Sequence, residues 1–360
     1  MINRFKRIFY VLYYLKNEDA SKRKKFMKHV CDAQGISKMT LWTRMVKDSI
    51  RYNVSLNEYF LFHFYEIDEA EKKHWVGTGT IYEYQKKMNP PAHRKVLSNK
   101  VLFYNAYRPY IKHTMITIDE LEGDSARATP IVKNPSGKVV LKPSDGQCGR
   151  GIEVLQTDGL TPRLLMQRMR DGGNDLAEEF VEQHDQLNRL SSSGLNTVRI
   201  ITQLEGNGAG ANANVNANVN ANINANVNAN INVRLLGARL RITVNSPVDN
   251  LAAGNIAVPI DLETGIVCGP GVYSDITKQD ETHHPVTGIK LEGFQVPFWR
   301  ECVELAVQAA LHDTQNRSIG WDIAVTNEGP ELIEGNHDWC KLLWQLPVKK
   351  GLQAELESDH

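Results

Sequence analysis

Apolar and polar residues recur with two different periods along this chain, and the change from one to the other divides it. Through residues 1–95 the apolar positions fall at the long spacings of helices among Lys, Glu and Gln, with few glycines, up to the Asn89-Pro90-Pro91 turn. A mostly helical N-terminal region is predicted there. From residue 96 the texture becomes short β-rich runs punctuated by Gly, Pro, Asn and Asp: KVVLKP (138–143), GIEVLQ (151–156), TVRIITQL (197–204), RLRITVNS (239–246), NIAVPID (255–261), IAVTN (323–327) and PELIEG (330–335). Helical stretches are interleaved, chiefly TPRLLMQRMR (161–170) and the amphipathic VPFWRECVELAVQAALHD (296–313). The alternation predicts an α+β core of mostly antiparallel strands over residues 96–350, with residues 351–360 as a C-terminal tail.

One segment has a stricter period. ANANVNANVNANINANVNANIN, residues 211–232, places every Asn on one side of an extended chain and every Ala, Val or Ile on the other. A single strand of that length would reach about 70 Å at ~3.3 Å per residue, too long for one domain. It must fold back, wrap as a repetitive β layer, or stay disordered. Its flanks read as consecutive strands, so the 207–232 stretch is an insertion in a hairpin turn. It is either a dispensable expansion or an Asn-ladder device for self-association.

Composition adds charge asymmetry. Lys plus Arg and Asp plus Glu are both 42 in 360 residues, so the whole chain is no polyelectrolyte matched to nucleic acid. Residues 1–51, however, carry 13 basic against 4 acidic side chains, which gives the N-terminus a preference for anions. RFKR followed by IFYVLYYL has the order of a signal peptide, but its bulky aromatics and the charged KNEDASKRKK after it offer no small-residue cleavage site. It reads as a retained amphipathic helix, either packed on the domain or lying at an anionic lipid surface. Nearby, GISKMTLWTRMVKD (35–48) has the flavour of a helix-turn-helix; with no second basic element it reads as helix packing, and no nucleic-acid partner is expected. The five cysteines are widely spaced with no C-x-x-C pair, which suggests neither structural zinc nor disulfides and fits a reducing, cytoplasmic setting.

The strongest chemical signal is VVLKPSDGQCGRGIEVL (139–155). A strand ends at Lys142-Pro143, and a loop with Gly146, Gly149 and Gly151 leads into a second strand. Closely spaced glycines let backbone N–H groups approach an anion, and a lysine at the strand end adds a positive charge. Phosphate suits such a loop, although the spacing is neither that of the Walker loop nor G-x-G-x-x-G opening a helix. Downstream, in GWDIAVTNEGPELIEGN, Asp322 leads one strand, the NEGP turn reverses the chain, and Glu334 and Asn336 share a face of the returning strand. Three oxygen ligands then converge, a set suited to magnesium.

The Lys-Pro plus Gly-x-x-Gly-x-Gly-Ile flap resembles the phosphate-covering loop of ATP-grasp enzymes, and the other parts follow in the expected order. The resemblance implies two α+β lobes gripping ATP. AEEFVEQH (177–184) is similar to the hinge strand between those lobes, which implies Glu179, Phe180 and Val181 at the adenine and Glu182 at the ribose. NTVRIITQ carries Arg199, matching an arginine that faces the nucleotide phosphates. The nearest likeness is to the ATP-grasp group associated with sugar transfer and exopolysaccharide genes, related to α-L-glutamate ligases. It rests on SLNEYFLFHFY, LSNKVLFYNAY, LRITVNSPVDNLAAGNIAVPIDLETG, HHPVTGIKLEGFQVPFW and LIEGNHDW, from about residue 50 onward. By that likeness Lys100 is an ATP-contacting lysine, Arg241 lies near the transferred phosphoryl group, and Asp249-Asn250 form a turn facing the acceptor. Asn255 stands where this pattern usually has a second glycine, and the motif after Asn336 reads HDWC. His284, in HHPVTG, is a candidate general base or a structural residue.

These readings imply an ATP- and Mg²⁺-dependent ligase joining a small-molecule carboxylate to an amine, amino acid or sugar-linked, in surface polysaccharide or envelope metabolism. A kinase acting on a hydroxyl and a nucleotide-sensing scaffold are the alternatives.

Overall fold

The computed structural model describes residues 4–146, 151–206 and 231–357. The chain opens with α1 (Arg4–Asn17), α2 (Ala20–Gln34), α3 (Lys38–Tyr52) and α4 (Leu56–Leu61), followed by α5 (Glu69–Lys72) and α6 (Thr78–Met88). Polar caps set these boundaries: the Asp19 carboxylate accepts from the Ser21 and Lys22 amides to start α2, Ser37 starts α3, and Ser55 with Glu58 makes a capping box on α4. Leu41 and Met45 of α3 turn inward onto Phe26, Val30, Tyr59 and Phe60. The helix-turn-helix stretch is thus used for packing. Val272 and Leu346 enter the same cluster, so the helical region shares its core with the later chain.

After α7 (Lys95–Ser98) and α8 (Lys100–Tyr107), a four-stranded antiparallel sheet is ordered β1-β4-β2-β3 from Met115–Thr117 (β1), Lys138–Lys142 (β2), Glu153–Gln156 (β3) and Leu176–Glu179 (β4). Val139, Leu141 and Ala177 pack on α9 (Ile118–Gly123), α10 (Thr129–Val132) and α11 (Pro162–Gly172). The alternate residues Val140, Lys142 and Glu178 are left on the opposite face. The second sheet, β7-β6-β5-β8-β9, is also antiparallel: β5 (Thr197–Glu205), β6 (Asn232–Ile242), β7 (Ile256–Ile260), β8 (Ser318–Thr326) and β9 (Gly329–Asn336). One face packs on α13 (Trp299–His312), whose Cys302, Val303, Ala306, Val307 and Ala310 recur at helical spacing against Val198, Ile200 and Ile323. α12 (Asp185–Leu190) and α14 (Lys341–Gln345) complete the set.

Several expectations are adjusted. Asp322 sits in the middle of β8, because pairing with β5 extends that strand back to Ser318. AEEFVEQH is strand only to Glu179; residues 180–184 cross between the sheets, and the His184 amide donates to the Val325 carbonyl at 2.7 Å. RLRITVNS is strand only to Ile242. The 351–357 segment is no loose tail: Leu352 is buried with Val76, and the Gln353 amide donates to the His74 carbonyl at 2.8 Å.

The Asn-rich repeat lies, up to residue 230, outside the described residues, but its flanks pair as a hairpin with Glu205 opposite Asn232. Replacing residues 207–230 by Asn-Gly is therefore expected to leave the thermal midpoint unchanged or slightly raised, since closure of a shorter loop costs less, by about 0.6 kcal/mol per halving of length. A midpoint lower by more than roughly 5 °C would show that the repeat packs on the fold.

Candidate functional site

Strand register alone brings three charged side chains into a row and sets a fourth diagonally beside it. Arg199 of β5 is directly opposite Asp322 of β8, which is opposite Glu334 of β9, while Arg241 of β6 is opposite Thr197 of β5. All lie on the sheet face away from α13. A bulge at Ile333 shifts the β8–β9 register next to Asp322 and sets the two carboxylates side by side.

Asp322 is fully buried and holds both arginines. Arg199 grips it with a two-pronged fork, its Nη2 donating to Oδ2 at 2.8 Å, and Arg241 Nη2 lies 2.7 Å from the same oxygen. Arg241 also reaches Asp249 at 3.1 Å and donates from Nε to the Thr197 hydroxyl at 2.9 Å, while that hydroxyl donates to Asp249. Burial alone would push the Asp322 acid upward, yet Arg199 and Arg241 outweigh it and hold the group well below the carboxylate range. Burial raises Asp249, with Arg241 opposing.

Glu334 is the acid without a counter-ion of its own. Burial first, then the Asp322 charge and its hydrogen bond, push it up to about 7. Two guanidinium groups are already balanced by Asp322 and Asp249, so ionising Glu334 leaves one uncompensated negative charge. Asn336 Nδ2 lies 3.3 Å from Glu334 Oε1 and 3.4 Å from Asp322 Oδ2. The expected trio is therefore assembled, with a difference: Asp322 is at once the anchor of two arginines. Two carboxylates, one of them the unbalanced acid, and an amide fit a hard divalent cation in kind.

The facing sheet supplies a second cluster. Lys142 Nζ lies 2.5 Å from Glu178, and His113 bridges Glu331 at 2.7 Å and Glu178 at 4.0 Å. Burial acts to raise Glu178, but Lys142 and His113 hold it below its ordinary value. Lys100, the first residue of α8, donates to the Ser144 and Gly146 carbonyls. It ties down the start of the glycine loop. Burial, and then Lys142, depress it, while Glu334 and Glu178 act in the opposite sense. Lys100 thus sits within electrostatic reach of both sheets.

Gly146 closes a turn onto the Pro143 carbonyl at 3.2 Å, and Gly151 has φ +77° with its missing Cβ facing the Pro143 ring at 3.2 Å, so both a left-handed backbone and close approach require glycine there. Gly149 falls outside the described residues. In the 179–182 segment the Thr114 amide donates to the Glu179 carboxylate at 3.2 Å, Lys138 lies 4.8 Å above the Phe180 ring, and Glu182 is exposed. The backbone groups of Val181 and Glu182 have no backbone partner among the described residues.

His284 is not placed for proton transfer. It is buried, Thr287 N–H donates to its Nδ1 at 3.1 Å, and its Nε2–H then donates to the Thr243 carbonyl at 2.9 Å. Both nitrogens are spent pinning its loop to the end of β6, so it is structural. Residues the sequence reading passed over are Glu178, His113 and Thr197; the available signal was alternation, since Lys142 and Glu178 share a face one strand apart. Asn255 also has a defined role. Its Oδ1 accepts from the Val244 amide at 2.7 Å and its Nδ2 donates to the Val248 and Asn250 carbonyls, which fixes the Asp249-Asn250 turn. Past that turn a cleft of about 500 Å³ opens against α2, lined by Lys22, Lys25, Lys278, Tyr273 and Asp275.

The family model for sugar-transfer associated ATP-grasp proteins matches residues 81–230 and 223–359. No curated protein matches the chain. Among solved structures it is similar to the biotin carboxylase domain of the Hydrogenobacter thermophilus 2-oxoglutarate carboxylase, at 14% identity over 71% of this chain and 46% of that one, TM-score 0.36. It is also similar to a D-cycloserine synthetase, at 10% identity over 75% and 74%, TM-score 0.38. The D-alanine-D-alanine ligase of Helicobacter pylori gives 12% identity over 74% and 62%, TM-score 0.34. The chain spans about half the length of the first of these.

Proposed function

The chain belongs to the sugar-transfer associated ATP-grasp family, and from that premise we propose that it is an ATP- and Mg²⁺-dependent ligase joining a carboxylate to an amine in cell-surface polysaccharide or envelope metabolism. The observation that carries this reading is the pairing of two lysines, Lys142 at the end of β2 and Lys100 at the start of α8, with the Arg199–Asp322–Arg241 cluster and Glu334 on the second sheet. The nucleotide lies between them. Its adenine edge would meet the unpaired backbone of Val181 and Glu182, Lys142 would meet its phosphates, and Glu334 and Asn336 with Asp322 would hold the magnesium. When bound, that ion offsets charge on the phosphates.

In the reaction a carboxylate oxygen of one substrate forms a bond to the γ-phosphorus as the bond to ADP breaks, giving an acylphosphate. The amine nitrogen of the second substrate then attacks the acyl carbon, inorganic phosphate leaves, and the amine loses a proton. Carboxylate and triphosphate repel each other; Lys142, Arg199 and Arg241 would donate hydrogen bonds to them in a buried setting where charge is poorly screened, and because these cations are already paired with Glu178, Asp322 and Asp249 the magnesium would add the net positive charge. The cleft past Asp249-Asn250, where Lys22 and Lys278 remain after Lys25 pairs with Asp275 and Asp19 caps α2, is suited to an anionic, sugar-phosphate-like acceptor.

The test is ADP and phosphate release with Mg²⁺ across amino acids and amino or uronic sugars, with product mass. Acceptor-dependent release with an adduct one water lighter than its parts is the expected result. A phosphorylated product without an amide bond would instead make the protein a kinase.

A further inference from the structure

We propose that α1 is an interfacial helix that holds this protein on an anionic lipid bilayer. At about 100° per residue its 14 positions fall into two arcs. The inner arc is committed to the fold: Val11 and Tyr14 are buried among the helices, Arg7 donates to the Ile50 and Arg51 carbonyls, and Tyr10 OH lies 3.1 Å from Glu83. The outer arc should be polar if it met only water. It carries instead Ile8, Phe9, Leu12, Tyr13 and Leu15, exposed by 46, 69, 56, 60 and 37%. Five of the fourteen large apolar side chains exposed among the described residues stand on this one helix, and a contiguous stripe of that kind marks an interaction surface.

Charge identifies the occupant. Lys6 and Lys16 bracket the stripe at the two ends of α1, and exposed Lys24 follows on α2, where Lys28 is paired with Asp32, within a stretch holding 13 basic and 4 acidic residues. Of the acids that touch this helix or follow it, Glu18 is turned inward to accept from the Ser55 hydroxyl and Glu83 accepts from the Tyr10 hydroxyl. A second copy of the chain would set this positive surface against itself across a two-fold contact, whereas anionic headgroups complement it. No helix among the described residues is long and apolar enough to cross a membrane; α1 lies in the interface with its apolar arc down and its lysines reaching the headgroups.

Vesicle flotation of the full chain tests this. With phosphatidylcholine vesicles containing about 30% phosphatidylglycerol the protein is expected to float at low salt and to be released as salt rises, with little binding to phosphatidylcholine alone. The double variant Phe9→Glu, Leu12→Glu is expected to lower the bound fraction about tenfold, with an unchanged melting curve because both side chains are exposed. Failure of the wild type to float, or undiminished flotation of the double variant, overturns the proposal. So does a sedimentation experiment in which the wild type is a dimer and the double variant a monomer, which would give the stripe to a second copy. None of these readouts depends on the ligase reaction.

Discussion

Glu334→Gln is expected to end ATP consumption, by roughly a hundredfold or more, while making the protein more stable above neutral pH. The two effects share one cause. Glu334 carries the charge that the site's arginines leave unbalanced, so it is the group a cation would pair with and the group the buried site least tolerates as an anion. Burial and Asp322 move its acid from an ordinary 4.5 up to about 7. Between those values the folded protein holds a proton that the unfolded chain has lost, so stability contributed by the protonated form is fully present below about 4.5 and disappears as pH rises through about 7. Glutamine keeps the neutral form at every pH. The stability difference between variant and wild type should therefore be small at pH 4.5, open as pH increases, and level off above 7 at roughly 3 kcal/mol. Urea denaturation of both proteins across pH 4.5 to 8, without nucleotide or metal, measures it. A pH-independent difference would show that Glu334 is compensated in the fold, and near-normal turnover would remove it from the cation site.

Much of this arrangement could be read before any coordinates. The strand and helix texture from residue 138 onward follows from local alternation and capping, and Thr161-Pro162 mark the start of α11 as they stand. Glu334 and Asn336 share a face for the same reason any i, i+2 pair on a strand does. What could not be read is register between strands distant in sequence. That Arg199 faces Asp322, 123 residues away, depends on β5 lying between β6 and β8, and no local pattern specifies that order. The same ignorance concealed Glu178: its neighbour Glu179 looked equivalent, and only pairing with β2 puts Glu178, not Glu179, against Lys142. Gly320 is a further case. A Cβ there would stand 2.7 Å from Trp339 Cβ and 3.1 Å from Arg199 Cδ, so glycine keeps the space through which the Arg199 side chain crosses, a requirement invisible in the sequence. His284 shows the reverse error, since a histidine in a loop invites a catalytic reading until both its nitrogens are seen to be occupied.

The largest stability effect is expected from Asp322→Ala. Burying an ion pair gains little over burying hydrophobic residues, but removing one partner leaves the other charge without compensation, at a cost of about 3–5 kcal/mol. Asp322 is shared by Arg199 and Arg241, so its loss takes the direct partner from both, with Asp249 left for Arg241 and the neighbouring Glu334, whose charge both arginines already favour, left near Arg199. Arg199→Ala should cost less, because Arg241 still holds Asp322. The double variant should then be no less stable than Asp322→Ala alone, since the guanidinium stranded by the first change is removed by the second; independent sites would instead give the sum. Against a total of roughly 5–15 kcal/mol for a folded domain these differences are large, and urea midpoints of the two single variants and the double resolve them. Additive losses would mean that Arg199 and Asp322 do not depend on each other. Non-additive losses with the predicted asymmetry would establish that the site's positive charge is held in place by a carboxylate placed between two arginines. The same carboxylate would then restrain Arg199 and Arg241 before any phosphate arrives, so positioning the cations and anchoring the metal would be two tasks of one buried residue.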